Sequence, residues 1–563
     1  MNRNQLFDTL EQAPDIEVLI IGGGINGIGT FRELALQGVK VVLVEANDYC
    51  SGASATSSHM LHGGIRYLEN GEFRLVREAL HERNRLLKNA PHYAKPLPTT
   101  IPIFRWFSGF LNAPLKFLRL SEKPSERGAV IIKLGLMMYD LFARADRTMP
   151  THSFHGRTHS LQNFPALSQD IVSTATYYDA YMPYPERLCL DLIRDAVANP
   201  NARALNYAKV TQGTKTEVQI TDQLTGRSVL VRPKIVVNAA GPWIDFVNTA
   251  IGEPTRFIGG TKGSHIVVDN QALYDAAGGS EIFFENKDGR IVLIFPYMGK
   301  TMIGTTDIRI DNPDDAVCTP EEEAYILSLV KQVFPDIVVD PSQIVFRFSG
   351  VRPLPRSTSA TTGTISRDHS IVTLPPGDKF AFPVYSLVGG KWTTFRAFSE
   401  QAADIALAGL GVTRKVDTKT LPIGGGKDFP TDEAARQRYL AHLQKTTELE
   451  ASHLSILLDR YGTFAAQVAA YMSQGNDQPL ASAPHYTRRE VEFLALHEDI
   501  VHIDDFMLRR SLLAMLGHNS HAVVTEIGGI LARVFDWTDT QLNHEVDIMQ
   551  ERLADKHGVV SSL

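Results

Sequence analysis

Glu17-Val18-Leu19-Ile20-Ile21-Gly22-Gly23-Gly24-Ile25-Asn26-Gly27 is the stretch on which the fold turns. Its first five residues, mostly valine, leucine and isoleucine, read as a short buried strand that stops at glycines. Gly27 to Gln37 then offers Ile28, Phe31, Leu34 and Leu36 for packing as a helix, and Val39 to Val44 is a second apolar run. Strand, turn, helix and strand form a βαβ unit, the usual start of a parallel sheet that holds a dinucleotide at its strand ends. Within the pattern GxGxxG, Gly22 permits the tight turn, Gly24 the close approach of a pyrophosphate, and Gly27 the packing of helix on strand, with Ile25 and Asn26 between them. Glu45 follows about 20 residues on, where a carboxylate accepts bonds from ribose hydroxyls and repels a 2′-phosphate.

The 563 residues exceed what one hydrophobic core supports, so two or three domains are expected. With 44% hydrophobic and 21% charged residues the composition is that of a globular protein, and the net charge of -7 provides no basic field for nucleic acid. Cys50, Cys189 and Cys318 show no CxxC pair and no metal-ligand spacing, which suits a reduced, intracellular setting and predicts no metal site. Met1 to Ile16 has no apolar stretch of signal-peptide length, and no apolar run reaches the ~18 residues of a spanning helix. A cytoplasmic protein is expected, with surface attachment left open.

Farther along, Ile235 to Val237 reads as a strand ending at the small-residue turn Asn238 to Pro242, which contains Ala240 and Gly241. Ile291 to Phe295 and Met302 to Ile303 flank Met298-Gly299-Lys300 as an antiparallel pair. From about Asp428 helical patterns dominate, including Glu448 to Tyr461 and Asp504 to Leu516, and Gly424 to Gly426 reads as the linker before them. Ser51 to Leu68 holds too many small hydroxyl residues and glycines for a packing element. It reads as a loop past a ligand, with Ser57 and Ser58 suited to pyrophosphate oxygens and Gly63-Gly64 to the close approach of a flat ring.

The blocks IIGGGINGIG, TSSHMLHGGIRYLENGEF, VVNAAGPW, KGSHIVV, IGTTD, FSGVRPL, SRDHS, GGKWTTFR, RYGT and LRRSLLAM, in this order from about Asp15 to Glu545, resemble the FAD-dependent glycerol-3-phosphate dehydrogenase and oxidase family. The resemblance implies an α/β fold: a Rossmann-like FAD-binding domain of the glutathione-reductase and D-amino-acid-oxidase type, with an inserted β-rich substrate (cap) domain and an α-helical C-terminal domain. The expected limits are 1–90, 165–250 and 345–425 for the FAD-binding part, 91–164 and 251–344 for the cap, and 426–563 for the helical part.

The same resemblance implies non-covalent FAD and hydride transfer from C2 of glycerol 3-phosphate to the flavin, giving dihydroxyacetone phosphate. Matching positions for the cofactor are His62, Gly63, Gly64, Val210, Ala240, Gly241, Gly390, Lys391, Thr393 and Thr394, besides Gly22 to Gly27, Glu45, Ser57 and Ser58. A phosphate monoester needs several cationic donors. Arg66, Tyr67, His265, Arg352, Arg367 and Lys391 match the family's substrate positions. His62 or His265 is the expected base for the C2 hydroxyl, with Arg352 also in the catalytic set.

Two departures from the family pattern bear on the substrate: His59 replaces a common lysine, and Tyr184-Pro185-Glu186-Arg187-Leu188 replaces a segment that usually carries paired aspartates. A tetritol phosphate is the alternative donor. Family dehydrogenases are peripheral membrane proteins that pass electrons to quinone. The mixed aromatic and basic stretch Arg105 to Lys123 is accordingly expected to attach to the inner face of the cell membrane. An oxidase using oxygen, a homodimer and a non-catalytic, redox-responsive flavin binder are the further alternatives.

Overall fold

The computed structural model describes residues 3–69, 71–107, 128–286, 290–357, 365 and 367–559; the side chains of residues 66, 69 and 145 lie outside the description. Its first sheet runs in the order Ser370–Leu374, Val384–Val388, Ser228–Asn238, Asp15–Ile21, Val41–Val44 and Ala202–Leu205. The strands are parallel from Val384–Val388 to Ala202–Leu205. Apolar runs such as Val18 to Ile21 and Val41 to Val44 suit this sheet because both of its faces are covered. Val18 and Ile20 pack with Ile28, Phe31 and Leu34 of the helix Ile25–Leu36. Leu19 and Ile21 face Phe7, Leu10, Val236 and Phe380 on the other side. Ile21 is in register with both Val44 and Asn238, so three strand ends meet at the glycine turn.

A second, mainly antiparallel sheet has the order Ile308–Arg309, Thr261–Val268, Lys300–Gly304, Ile291–Tyr297, Glu281–Glu285, Lys95–Ile103, Ser173–Tyr181 and Met60–Leu61, with Ile344–Arg352 also paired to Thr261–Val268. Strand alternation divides its side chains. Ile266, Val268, Ile282, Ile294 and Ile303 pack against the helix Pro320–Val333. Gly263, His265, Leu293, Phe348 and Arg352 face a cleft toward the first sheet. Met298 and Gly299, both at positive φ, close the expected hairpin between Ile291–Tyr297 and Lys300–Gly304. Ser173–Tyr181 and most of Ile344–Arg352 fall within ranges expected for the dinucleotide-binding part, yet they hydrogen bond in this second sheet.

The C-terminal part is helical, but three expected details change. Glu448 adopts φ +60 and ends the helix Glu433–Thr447, so the next helix is Ala451–Tyr461. Asp504 to Leu516 is no single helix: Ile503–Asp505 leads into a wide turn at Phe506–Arg510, which stops at Ser511. Adjacent side chains on an ordinary α-helix diverge by about 100°; the wide turn sends both Arg509 and Arg510 to the buried carboxylate of Asp48. Gly424–Gly426 is a packed joint, not a loose linker. A Cβ at Gly425 would lie 2.0 Å from the Tyr461 carbonyl, and one at Gly426 would lie 2.2 Å from that of Asn89.

Candidate active site

The glycine turn is built by backbone packing. Gly22 has φ +113, and a Cβ there would come within 2.6 Å of the Ala239 carbonyl; a Cβ at Gly27 would lie 2.0 Å from the Gly22 carbonyl. Both therefore demand glycine for the reasons the motif gives. The helix Ile25–Leu36 starts here and points its positive end into the cleft. Glu45 accepts from the Gly23 amide at 2.6 Å and the Asn47 amide at 2.9 Å, while burial pushes its carboxyl up. Glu45, Val210, Ala240 and Gly241 line the same cleft.

Distant loops close on this turn. Gly389 and Gly390 have φ +79 and +97, and a Cβ at Gly390 would meet Asn26 Nδ2 at 2.9 Å. The Trp392 indole donates to the Ser54 carbonyl at 3.0 Å, and the Thr393 hydroxyl to the His62 carbonyl at 3.1 Å. Thr394 is buried behind them. The resulting cleft has a volume of about 1750 Å³ and runs between the two sheets. A cradle that only glycine can form, a helix N-terminus, a fixed carboxylate after the second strand and a long cleft beyond fit an extended FAD molecule.

At the second sheet's edge the cleft gathers cations. Arg352 donates from Nη1 to Asp307 at 3.2 Å and from Nη2 to the Thr305 hydroxyl at 3.2 Å. Arg367 lies 3.9 Å from the other Asp307 oxygen. Burial and the nearby Arg367 push Arg352 down to about 10. Lys391 Nζ is buried without a hydrogen-bond partner among the described residues, 4.6 Å from the Tyr67 ring centre. Burial pulls it down to about 8. The side chain of Arg66 lies outside the described residues.

Both expected histidines border the cleft. His265 Nε2 is 2.8 Å from Ser58 Oγ, and its ring stacks on Phe348 at 4.9 Å between centroids. Gly304 makes room for it, since a Cβ there would lie 2.2 Å from the ring. Burial, then Arg352 and His59, lowers His265 to about 3; burial, then Lys391 and Arg367, lowers His62 to about 3. Burial thus favours the neutral, proton-accepting form of both rings. His59 is buried edge-on to Tyr297 at 5.3 Å, so its place is an aromatic pocket where a lysine charge would be poorly solvated.

The sequence reading missed Thr305 and Asp307, which fix Arg352, although the IGTTD block held the clue. It also missed Tyr177, Asp179 and Glu281 on the cleft wall, which only strand pairing brings there, and the C-terminal residues Arg509, Leu512, Met515 and His557, which line its other side. Gly63 needs to be glycine for an unexpected reason: a Cβ would strike the Tyr139 hydroxyl at 2.3 Å and Leu80 at 2.5 Å. No cluster of metal-ligating side chains occurs among the described residues.

A dinucleotide cradle whose cleft opens onto a sheet bearing paired cations and neutral imidazoles defines a flavin-dependent oxidoreductase class. The family model described as FAD dependent oxidoreductase matches residues 17–374, and that of the C-terminal domain of alpha-glycerophosphate oxidase matches residues 416–542. The chain is 33% identical over 563 residues to a glycerol-3-phosphate dehydrogenase of Synechocystis sp., covering 95% of this chain and 96% of that protein. It is 31% identical to a mitochondrial glycerol-3-phosphate dehydrogenase of Arabidopsis thaliana, covering 96% and 86%. In fold it is similar to the glycerol-3-phosphate dehydrogenase from Bacillus halodurans complexed with FAD, with a TM-score of 0.76, 23% identity and coverage of 98% and 97%. The chain belongs to the FAD-dependent glycerol-3-phosphate dehydrogenase family.

Proposed function

We propose that this protein oxidises sn-glycerol 3-phosphate to dihydroxyacetone phosphate with FAD as its cofactor. The observation that carries the reading is the convergence of Arg352, Arg367 and Lys391 beside His265 in a cleft that begins at the dinucleotide cradle. When bound, FAD supplies the hydride acceptor. Gly22 to Gly27 and Glu45 hold its ADP half, and Ser57 to Gly64 with Gly390 to Thr394 border its ring. Arg352, Arg367 and Lys391 neutralise the substrate phosphate, Arg352 by its planar fork and Lys391 as a point charge. Tyr67 packs under Lys391, and Arg66 completes the set. A neutral imidazole, of His62 or His265, takes the C2 hydroxyl proton as the hydride departs. Ser58 orients His265.

The domain division proposed is an FAD-binding part built on the first sheet, a cap built on the second, and a helical part after the joint at Gly424–Gly426. Electrons pass to quinone at the inner face of the cell membrane. Val130, Leu134, Met137 and Leu141 form an exposed apolar stripe along the helix Ala129–Phe142, and Trp106 and Phe107 are exposed beside its first turn. Such a stripe supports peripheral attachment. The rest of the basic aromatic stretch, 108–123, lies outside the described residues. No helix among the described residues is long and apolar enough to cross a membrane.

A longer polyol phosphate is the second reading, favoured by the carboxyl groups of Glu281 and Glu285 along the cleft, which can hydrogen bond to further hydroxyls. Turnover of glycerol 3-phosphate and tetritol phosphates with a quinone analogue, beside oxygen uptake, tests these assignments. Faster turnover of a tetritol phosphate selects the second reading, and peroxide formation matching turnover selects an oxidase.

A further inference from the structure

The peptide bond between His62 and Gly63 is held at both of its polar atoms. The His62 carbonyl accepts from the Thr393 hydroxyl at 3.1 Å. The Gly63 amide donates to Asp179 Oδ1 at 3.0 Å and to the Tyr139 hydroxyl oxygen at 3.1 Å. The same Asp179 oxygen accepts from the Tyr139 hydroxyl at 2.6 Å and from Arg83 Nη1 at 2.7 Å. Arg83 Nη1 also reaches the Tyr139 oxygen at 3.1 Å and the Tyr178 carbonyl at 2.9 Å. Three elements remote in sequence therefore meet at one amide: the helix Phe73–Asn89, the helix Ala129–Phe142 and the strand Ser173–Tyr181.

Packing alone does not call for this arrangement. Leu68, Val76, Leu80, Leu136 and Tyr177 already form an apolar cluster between the same elements. A buried ion pair adds little stability over an apolar replacement, whereas loss of one partner is costly. Holding both the carbonyl and the amide of one peptide plane fixes that plane's orientation, and ψ of His62 then sets the direction of the His62 Cα–Cβ bond relative to it. We propose that Asp179, braced by Tyr139 and Arg83, is a positioning residue that fixes the His62–Gly63 peptide and hence the imidazole at the cleft. The catalytic consequence rests on the function proposed above; the restraint on the loop does not.

The test uses the FAD-loaded full chain and the variants Asp179→Asn and Tyr139→Phe, the second of which leaves the Asp179–Arg83 pair in place. Hydrogen exchange of the peptide containing Gly63 is expected to rise at least tenfold in Asp179→Asn and less in Tyr139→Phe. In glycerol 3-phosphate oxidation, kcat is expected to fall about tenfold in Asp179→Asn with KM within threefold and flavin content unchanged, because loop geometry and not phosphate binding is disturbed. Unchanged exchange at Gly63 in both variants overturns the restraint. Faster exchange with an unchanged kcat per bound flavin overturns the positioning role. If the parent protein oxidises no polyol phosphate, exchange at Gly63 still decides the restraint.

Discussion

The ammonium of Lys391 stands 4.6 Å from the centre of the Tyr67 ring, and the two are brought together from segments far apart in the sequence. Burial holds this lysine at about 8. Its positive charge is present below that pH and lost above it, while a phosphate monoester is a dianion above about pH 6. The pH profile of kcat/KM, which reports groups of the free enzyme, is expected to fall above pH 8. Lys391→Arg removes that limb up to pH 9.5, because a guanidinium stays charged. A flat profile from pH 7 to 9.5 in the parent protein, with KM unchanged in Lys391→Ala, would show that Lys391 does not bind the phosphate.

Two glycines separate cofactor from substrate effects. A Cβ on Gly263 would lie 2.3 Å from Arg352 Nη2. Gly263→Ala is therefore expected to raise KM at least tenfold with flavin retained. Gly22→Ala meets the Ala239 carbonyl at 2.6 Å in a left-handed conformation, and it is expected to purify with less than a tenth of the flavin. Flavin absorbance per chain and KM together check both.

Arg352→Ala removes the fork set by Thr305 and Asp307. Loss of charge-assisted bonds of about 1.5–3 kcal/mol corresponds to a rise in KM of roughly tenfold to a hundredfold. Bound FAD is expected to be unchanged. A variant that emerged without flavin would place Arg352 in the cofactor site instead.

Asp48 joins the second strand's turn to the C-terminal part through Arg509 and Arg510, all three buried. The two guanidinium groups hold its carboxyl down at about 2. Its contribution to stability is complete above the ordinary aspartate pKa of about 4 and is lost as pH falls through about 2. Asp48→Ala leaves Arg509 paired with Asp505 but takes from the buried Arg510 its hydrogen-bonded carboxylate, and it is expected to cost about 3–5 kcal/mol in denaturant unfolding at pH 7. An effect under about 1 kcal/mol would show that Asp505 and Glu498 already compensate the two guanidinium groups.

The part of the fold visible in sequence was the part fixed by local rules. Val18 to Gly27 specifies strand, turn and helix through periodicity and glycine spacing, and the structure builds it within two residues of the expected helix start. The cation cluster was legible through the family blocks that hold Arg352, Arg367 and Lys391. Asp179, Tyr139 and Arg83 were not, because each sits in an ordinary amphipathic or alternating segment and acquires its partner only by long-range pairing. The wide turn at Phe506–Arg510 was also hidden: its local pattern is helical, and the demand of Asp48 for two adjacent arginines overrides it. Glu448 ends a helix at positive φ without the glycine that usually marks such a stop.

Anaerobic stopped-flow mixing of the FAD-loaded protein with glycerol 3-phosphate tests the central assignment most directly. Rapid bleaching of the oxidised flavin band is expected, with a rate that saturates in substrate and an amplitude matching the bound flavin. Flavin that stays oxidised at millimolar glycerol 3-phosphate and is bleached by no other phosphorylated polyol would contradict it.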